Sequence, residues 1–142
     1  MRVALATELV HSYSLIHDDI MDDDNIRRGK PTTHKKFDQA TAILAGNCLL
    51  TLAFEILADK KTHPKDIIRS SLISQLTLLS GHKGLAGGQS LDLLYEKKNT
   101  TLKNIINMHE LKTAKLFEFC SCAPLIMSNV NSNNANYISK NM

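Results

Sequence analysis

The sequence predicts an all-α protein, and three observations predict it. Apolar residues recur at helical intervals, as Leu5, Leu9, Ile16 and Ile20 do within Val3–Met21. β-branched residues never alternate over a strand-length window, and no hairpin dipeptide such as Asn-Gly separates two such windows. Turn residues fall between the periodic stretches, at Gly29-Lys30-Pro31 and at His63-Pro64.

Taken in order, Val3–Met21 holds neither Gly nor Pro and reads as the first helix. Asp22–Thr33, with Arg27-Arg28-Gly29-Lys30-Pro31, reads as a loop. Asp38–Asp59 is a second helix, rich in Ala and Leu, where Gly46 between Ala45 and Asn47 would let another helix approach closely. Pro64 in the turn His63–Asp66 suits a helix start. A third helical stretch, Asp66–Tyr95, is interrupted at Gly81, Gly84, Gly87 and Gly88. A fourth begins at Thr100 or Thr101 and runs past Lys115 towards Cys122, before Ala123-Pro124. Residues 1–128 form one partial domain on this reading, and the Asn- and Ser-rich segment 129–142 is a frayed tail.

Composition narrows the function classes. With 43% of its 142 residues hydrophobic, the chain has material for a core. A net charge of +3 is too small to mark a nucleic-acid binder, and 5% aromatics without Trp argue against base-stacking platforms. Three cysteines without framework spacing fit a reducing compartment, and Cys120 and Cys122 read as packed thiols. No apolar run is expected to reach the roughly 18 residues of a membrane span. Glu8 and His11 interrupt the N-terminal apolar stretch, which excludes a signal peptide. The expectation is a cytoplasmic protein.

The informative segment runs from His17 to Gly29, His-Asp-Asp-Ile-Met-Asp-Asp-Asp-Asn-Ile-Arg-Arg-Gly. Residues four apart share a helix face, so Asp18 and Asp22 project together from the end of the first helix. That placement is unfavourable twice over, through mutual repulsion and through the negative end of the helix dipole. A divalent cation relieves both penalties, and Mg²⁺ in particular takes one or two carboxylates and completes its shell with water and phosphate oxygens. A solvated acidic run is the commoner meaning of such a cluster. Here, however, the acids begin inside an apolar helical pattern and are followed closely by Arg27, Arg28 and Lys30, which suit phosphate. Carboxylates for metal beside a basic loop describe a diphosphate site.

These residues resemble the first aspartate-rich motif of the trans-isoprenyl diphosphate synthases: DDxxD, four residues, then Arg-Arg-Gly-Lys-Pro-Thr. Further matches follow in order. They are Ile43–Asn47 (near ILAGD), Gly87–Leu93 (near GGQALDL) and Lys112–Ala114, with Tyr13–His17 before the aspartates. The resemblance spans residues 3 to about 120 and is nearest to the bacterial farnesyl diphosphate synthases of that family. It implies an incomplete orthogonal helical bundle and a Mg²⁺-dependent prenyltransferase. Such an enzyme joins an allylic diphosphate (dimethylallyl or geranyl) head-to-tail to isopentenyl diphosphate.

Residue by residue, the resemblance implies Mg²⁺ on Asp18 and Asp22, with Asp19 in support, these three being catalytic. It implies that Arg27, Lys112 and Thr113 bind the allylic diphosphate, and that Arg28 and His11 bind isopentenyl diphosphate. Tyr13 and Ser14, just before the aspartates, would set product length. Tyr13 favours C15, whereas the DDxxD spacing is shared with synthases of C20 and longer products, so C20 stays open. The resemblance also implies a Gly-Lys-Arg motif upstream and a second DDxxD downstream, and neither occurs in this sequence. The expectation is therefore a truncated chain, either of uncertain activity by itself or a catalytically incompetent fragment that associates with a complete synthase. A homodimer is the other partner the family implies.

Other metal and phosphate motifs fail on counting. Glu8-Leu-Val-His11 lacks the second copy a di-iron bundle needs, and the glycines of Gly81–Ser90 lack a Gly-Lys-Ser/Thr ending.

Overall fold

Helix α1 covers Arg2–Met21 and buries Val3, Ala6 and Val10, whereas of the apolar residues whose spacing predicted the helix Leu5 is exposed and Leu9, Ile16 and Ile20 are half-buried. The computed structural model describes residues 1–96 and 98–128. The tail expected over 129–142 lies outside the described residues. The chain divides into two compact units, Met1–Leu57 and one that begins at Ala58.

In the first unit α1 ends in a Schellman motif. The Asp24 amide donates to the Asp19 carbonyl at 2.9 Å and the Asp23 amide to that of Ile20 at 3.4 Å. Asp23 itself turns left-handed, with φ 53°, where glycine is usual. Lys35 donates to its carboxylate at 2.7 Å, and this holds the Asp23 carboxyl below the usual carboxylate range.

The expected loop contains a small hairpin, which corrects the reading that no hairpin is present. Strands β1 (Ile26–Arg27) and β2 (Lys30–Pro31) pair antiparallel, and Thr32 N–H donating to the Asn25 carbonyl at 3.1 Å extends the ladder. The turn residues Arg28 and Gly29 have φ 52° and 76°, the left-handed pair a type I′ turn requires. Arg at the first of these positions hid the turn, because Asn, Asp or Gly normally stands there.

A single turn, α2 (Thr33–Lys36), leads to α3 (Gln39–Ala58). Asp38 caps α3: its carboxylate accepts from the Thr41 amide at 2.8 Å and from the Thr41 hydroxyl at 2.6 Å. By length and composition α3 is apolar enough to cross a bilayer, with a mean hydropathy of 1.8, so the expectation of no such run was wrong. Its Gly46 nevertheless meets the His17 imidazole of α1, a packing contact within the same unit.

The second unit opens with α4 (Asp66–Ser80), which buries Ile68, Leu72, Leu76 and Leu79. Arg69, also buried, ion-pairs with Asp66 and donates to the His63 carbonyl at 2.6 Å, tying down the preceding turn. The helix stops at Gly81 and resumes as α5 (Leu85–Tyr95), so the expected interruption falls at Gly81 and Gly84, whereas Gly87 and Gly88 lie inside α5. From Leu102 to Met127 the backbone is helical throughout, as α6 (Leu102–His109), a π-helical turn (Glu110–Ala114) and α7 (Lys115–Met127). α7 packs along α4 and buries Phe119 and Ala123. It continues through Pro124, contrary to the expected stop. Cys120, whose carbonyl loses the Pro124 N–H as donor, is exposed, so water can take that donor's place. Cys120 is thus not a packed thiol; Cys122 is half-buried, and burial pushes its thiol up.

The Thr41 bonds hold the Asp38 carboxyl below its ordinary value of 3.8. A depressed carboxyl stabilises the fold above its unfolded-state pKa, and the benefit disappears as pH falls through the folded-state value. Asp38→Ala should therefore lower the thermal midpoint at neutral pH, with the gap to the unsubstituted chain closing below about pH 3. Thermal unfolding followed by circular dichroism across that range checks it.

Candidate active site

Helix α1 carries one polar row along its length. His11, Ser14, Asp18 and Asp22 follow each other at intervals of three or four, so they share a face. The Asp22 amide donates to the Asp18 carbonyl at 2.9 Å, which keeps the helical register up to Asp22. Asp18 is half-buried and Asp22 exposed. Ser14 donates back to the His11 carbonyl at 2.8 Å, leaving a small, flat step one turn before Asp18.

Asp19 does something different. It lies off this row and is 4% exposed, too buried to be left charged without a partner. Arg27 supplies one. Its Nε donates to Asp19 Oδ1 at 2.6 Å, and its Nη2 stands 3.5 Å from Asp18 Oδ2 and 4.0 Å from Asp24 Oδ2. The hairpin makes this reach possible by folding β1 back over the end of α1. It also separates the two arginines: Arg27 is drawn to the aspartates, while Arg28 stands exposed at the tip beside Lys30.

Tyr13 lies on the neighbouring row, with its ring edge-on to His17 at 4.6 Å between centroids. His17 Nε2 is 3.3 Å from the Ile43 carbonyl, and its imidazole fills the space that Gly46 leaves. Tyr13 is therefore braced from behind by an aromatic contact. The role of His17 was not foreseen, because the small residues around Gly46 were expected to admit a closely approaching helix, the neighbour the sequence signalled. That neighbour is a side chain and not a helix backbone.

In the second unit Lys112 and Thr113 occupy the π-helical turn, a feature that recurs at functional sites. Lys112 Nζ donates to Asp92 Oδ2 at 2.5 Å. Gln89, one turn before Asp92 on α5, is 7% exposed, yet neither its amide oxygen nor its nitrogen has a hydrogen-bond partner. An unmatched buried amide is costly, and it marks a polar space that a water or a ligand atom can enter. Asp92 and Gln89 were not assigned roles from sequence, although both lie within the Gly87–Leu93 motif.

Among the described residues no three His, Cys, Asp or Glu side chains converge as a metal cage. The donor set still fits Mg²⁺, which is commonly held by one or two carboxylates and otherwise by water and substrate phosphate. Asp18 and Asp22, one turn apart, are such a pair.

The family model described as polyprenyl synthetase matches residues 1–142. The chain belongs to the polyprenyl synthetase family. It is 45% identical over 132 residues to a farnesyl diphosphate synthase of Bacillus subtilis, covering 89% of this chain and 44% of that protein. The crystal structure of an FPP/GFPP synthase from Zymomonas mobilis superposes with a TM-score of 0.93 at 45% identity, covering 97% of this chain and 51% of that one. A Helicobacter pylori geranyltransferase, solved in complex with magnesium and isoprenyl diphosphate, gives a TM-score of 0.87 at 38% identity over 93% of this chain and 44% of that one. The chain thus spans about half the length of the relatives it matches. The all-α isoprenoid synthase fold expected from sequence is the one observed.

Within this polyprenyl synthetase segment the aspartates divide into two kinds, and stability should report the division. Without metal, Asp19→Ala removes the short bond to Arg27, which keeps only its longer contacts to Asp18 and Asp24, and should lower unfolding free energy by about 1 kcal/mol. Asp22→Ala, at an exposed position in a like-charged cluster, should cost less than Asp19→Ala. Urea unfolding in chelator-treated buffer distinguishes the two. Equal losses would contradict the division.

Proposed function

We propose that this chain provides the first-aspartate-motif half of a prenyltransferase that joins an allylic diphosphate head-to-tail to isopentenyl diphosphate in the cytoplasm. In that reaction the allylic C–O bond to diphosphate breaks and the isopentenyl double bond attacks the freed carbon. The new C–C bond forms as a proton leaves to the released diphosphate. Bound magnesium supplies neutralising positive charge to the departing diphosphate.

The chain's own residues then have distinct tasks. Asp18 and Asp22 hold the cation in register because α1 stays helical through both. Asp19 does not reach the cation on this reading; it anchors Arg27, which lines the place beside Asp18 and faces the allylic diphosphate. Arg28 and Lys30 offer charge at the exposed hairpin tip, where Arg28 serves isopentenyl diphosphate together with His11. Lys112 and Thr113 contribute a second set of diphosphate donors from the π-helical turn. Tyr13, braced by His17, limits the growing chain to C15, and small Ser14 beside it is what leaves C20 open.

The observation that carries this reading is the paired row of Asp18 and Asp22 at a helix end, backed by a basic hairpin. The Bacillus subtilis relative is named for the same activity, and the Helicobacter pylori neighbour was solved with magnesium and isoprenyl diphosphate. A second reading is favoured by the half-length match and by exposed apolar side chains such as Ile67, Leu102, Ile106 and Phe117. On that reading the chain is a fragment that associates with a complete synthase, or pairs as a homodimer, and has no turnover alone.

Calorimetry with geranyl diphosphate should show binding that requires Mg²⁺. The Asp18→Ala, Asp22→Ala double variant should weaken it by about 100-fold or more, since removing even the partners of metal ligands costs about 10–100-fold. Equal affinity in the double variant would end the proposal. Arg28→Gly should stabilise the hairpin, since Gly accepts positive φ freely, yet weaken isopentenyl diphosphate binding. Thermal unfolding and calorimetry on that variant should therefore move in opposite directions.

A further inference from the structure

Two points of α5 grip the π-helical turn. At Gly88 there is no room for a side chain, because a Cβ would run into the Lys112 amide nitrogen and the Leu111 carbonyl carbon. Backbone meets backbone there. One turn on along the same helix face, Asp92 Oδ2 accepts from Lys112 Nζ at 2.5 Å, with both side chains at least two-thirds buried. A π turn inserts a residue into the helical ladder and is rare, occurring mostly as a single turn within an α-helix.

We propose that Gly88 and Asp92 form a two-point clamp on the π-helical turn and are positioning residues for Lys112. Gly88 fixes where the backbone of the turn lies. Asp92 fixes the direction of the ammonium, whose three donors move together, so that holding one aims the others. The consequence for diphosphate rests on the role of Lys112 given under Proposed function; the clamp itself does not.

The test uses the full chain and three variants: Asp92→Asn, Asp92→Glu and Gly88→Ala. The acylation rate of Lys112 by an amine-reactive reagent is followed by mass spectrometry, with Lys103 and Lys115 as internal references. Asp92→Asn should raise the Lys112 rate about five-fold, as expected for loss of a partly screened ion pair, without moving the references. Asp92→Glu should restore most of the protection. Hydrogen exchange over residues 110–115 should quicken in Gly88→Ala while α4 stays protected. If Gly88→Ala does not fold, the Asp92 pair of variants still decides the matter. An unchanged Lys112 rate in Asp92→Asn, or a rate in Asp92→Glu as fast as in Asp92→Asn, would overturn the clamp. Binding of inorganic pyrophosphate with Mg²⁺ is measured alongside and should weaken several-fold in Asp92→Asn. No pyrophosphate binding by the unsubstituted chain would overturn the diphosphate role of Lys112, with the acylation rates still deciding the clamp.

Discussion

The ion pair between Arg27 and the buried Asp19 is the contact on which the arrangement at the end of α1 depends. Asp18, Asp19, Asp22, Asp23 and Asp24 crowd the negative end of a helix dipole, where each repels its neighbours. Arg27, towards Asp19 and Asp18, and Lys35, towards Asp23, offset part of that repulsion in the free chain. Both come from the segment that follows the helix, so the fold that brings them back is a type I′ hairpin with a non-glycine residue in the left-handed region. Local rules are broken twice within a few residues, at Asp23 and at Arg28. Such conflicts gather where function, rather than stability, chooses the residue.

Much of this was legible in the sequence because helices announce themselves through apolar periodicity and through Gly and Pro. The span of α1, the break at Gly81 and the all-α class follow from those signals. The Asp18–Asp22 row was legible for the same reason, since a spacing of four has only one meaning on a helix. The hairpin was not, because Arg28 stands where the turn chemistry calls for Asn or Gly. The π turn was not either: Glu110–Ala114 has ordinary helix-forming residues, and nothing in their local preference marks the extra backbone residue that lies against Gly88. The run of α7 through Pro124 likewise depends on tertiary packing of Phe119 and Ala123, which overrides the local cost of proline.

Asp19 shows how a motif can mislead about the work of its members. Adjacent carboxylates in a DDxxD pattern look equivalent in sequence, yet on a helix they point about 100° apart. One of the first pair stays on the row with Asp22; the other turns inward and meets Arg27. A charged group that is 4% exposed, with an arginine at 2.6 Å, is better suited to holding a loop than to holding a hydrated ion.

The same logic applies to lysine in the second unit. A flexible ammonium loses much rotamer freedom when it binds an anion, and any geometry fixed beforehand reduces that loss. Lys112 is fixed at both ends, its backbone against Gly88 and its Nζ against Asp92. Arg27, in the other unit, is likewise held by a carboxylate before any ligand arrives. In both cases the carboxylate cancels the net charge of the cation it orients, so the pair offers a diphosphate directed N–H donors rather than net positive charge. A motif rich in aspartate can therefore present a site for polyanions, provided each carboxylate is matched either by a side-chain cation or by a metal.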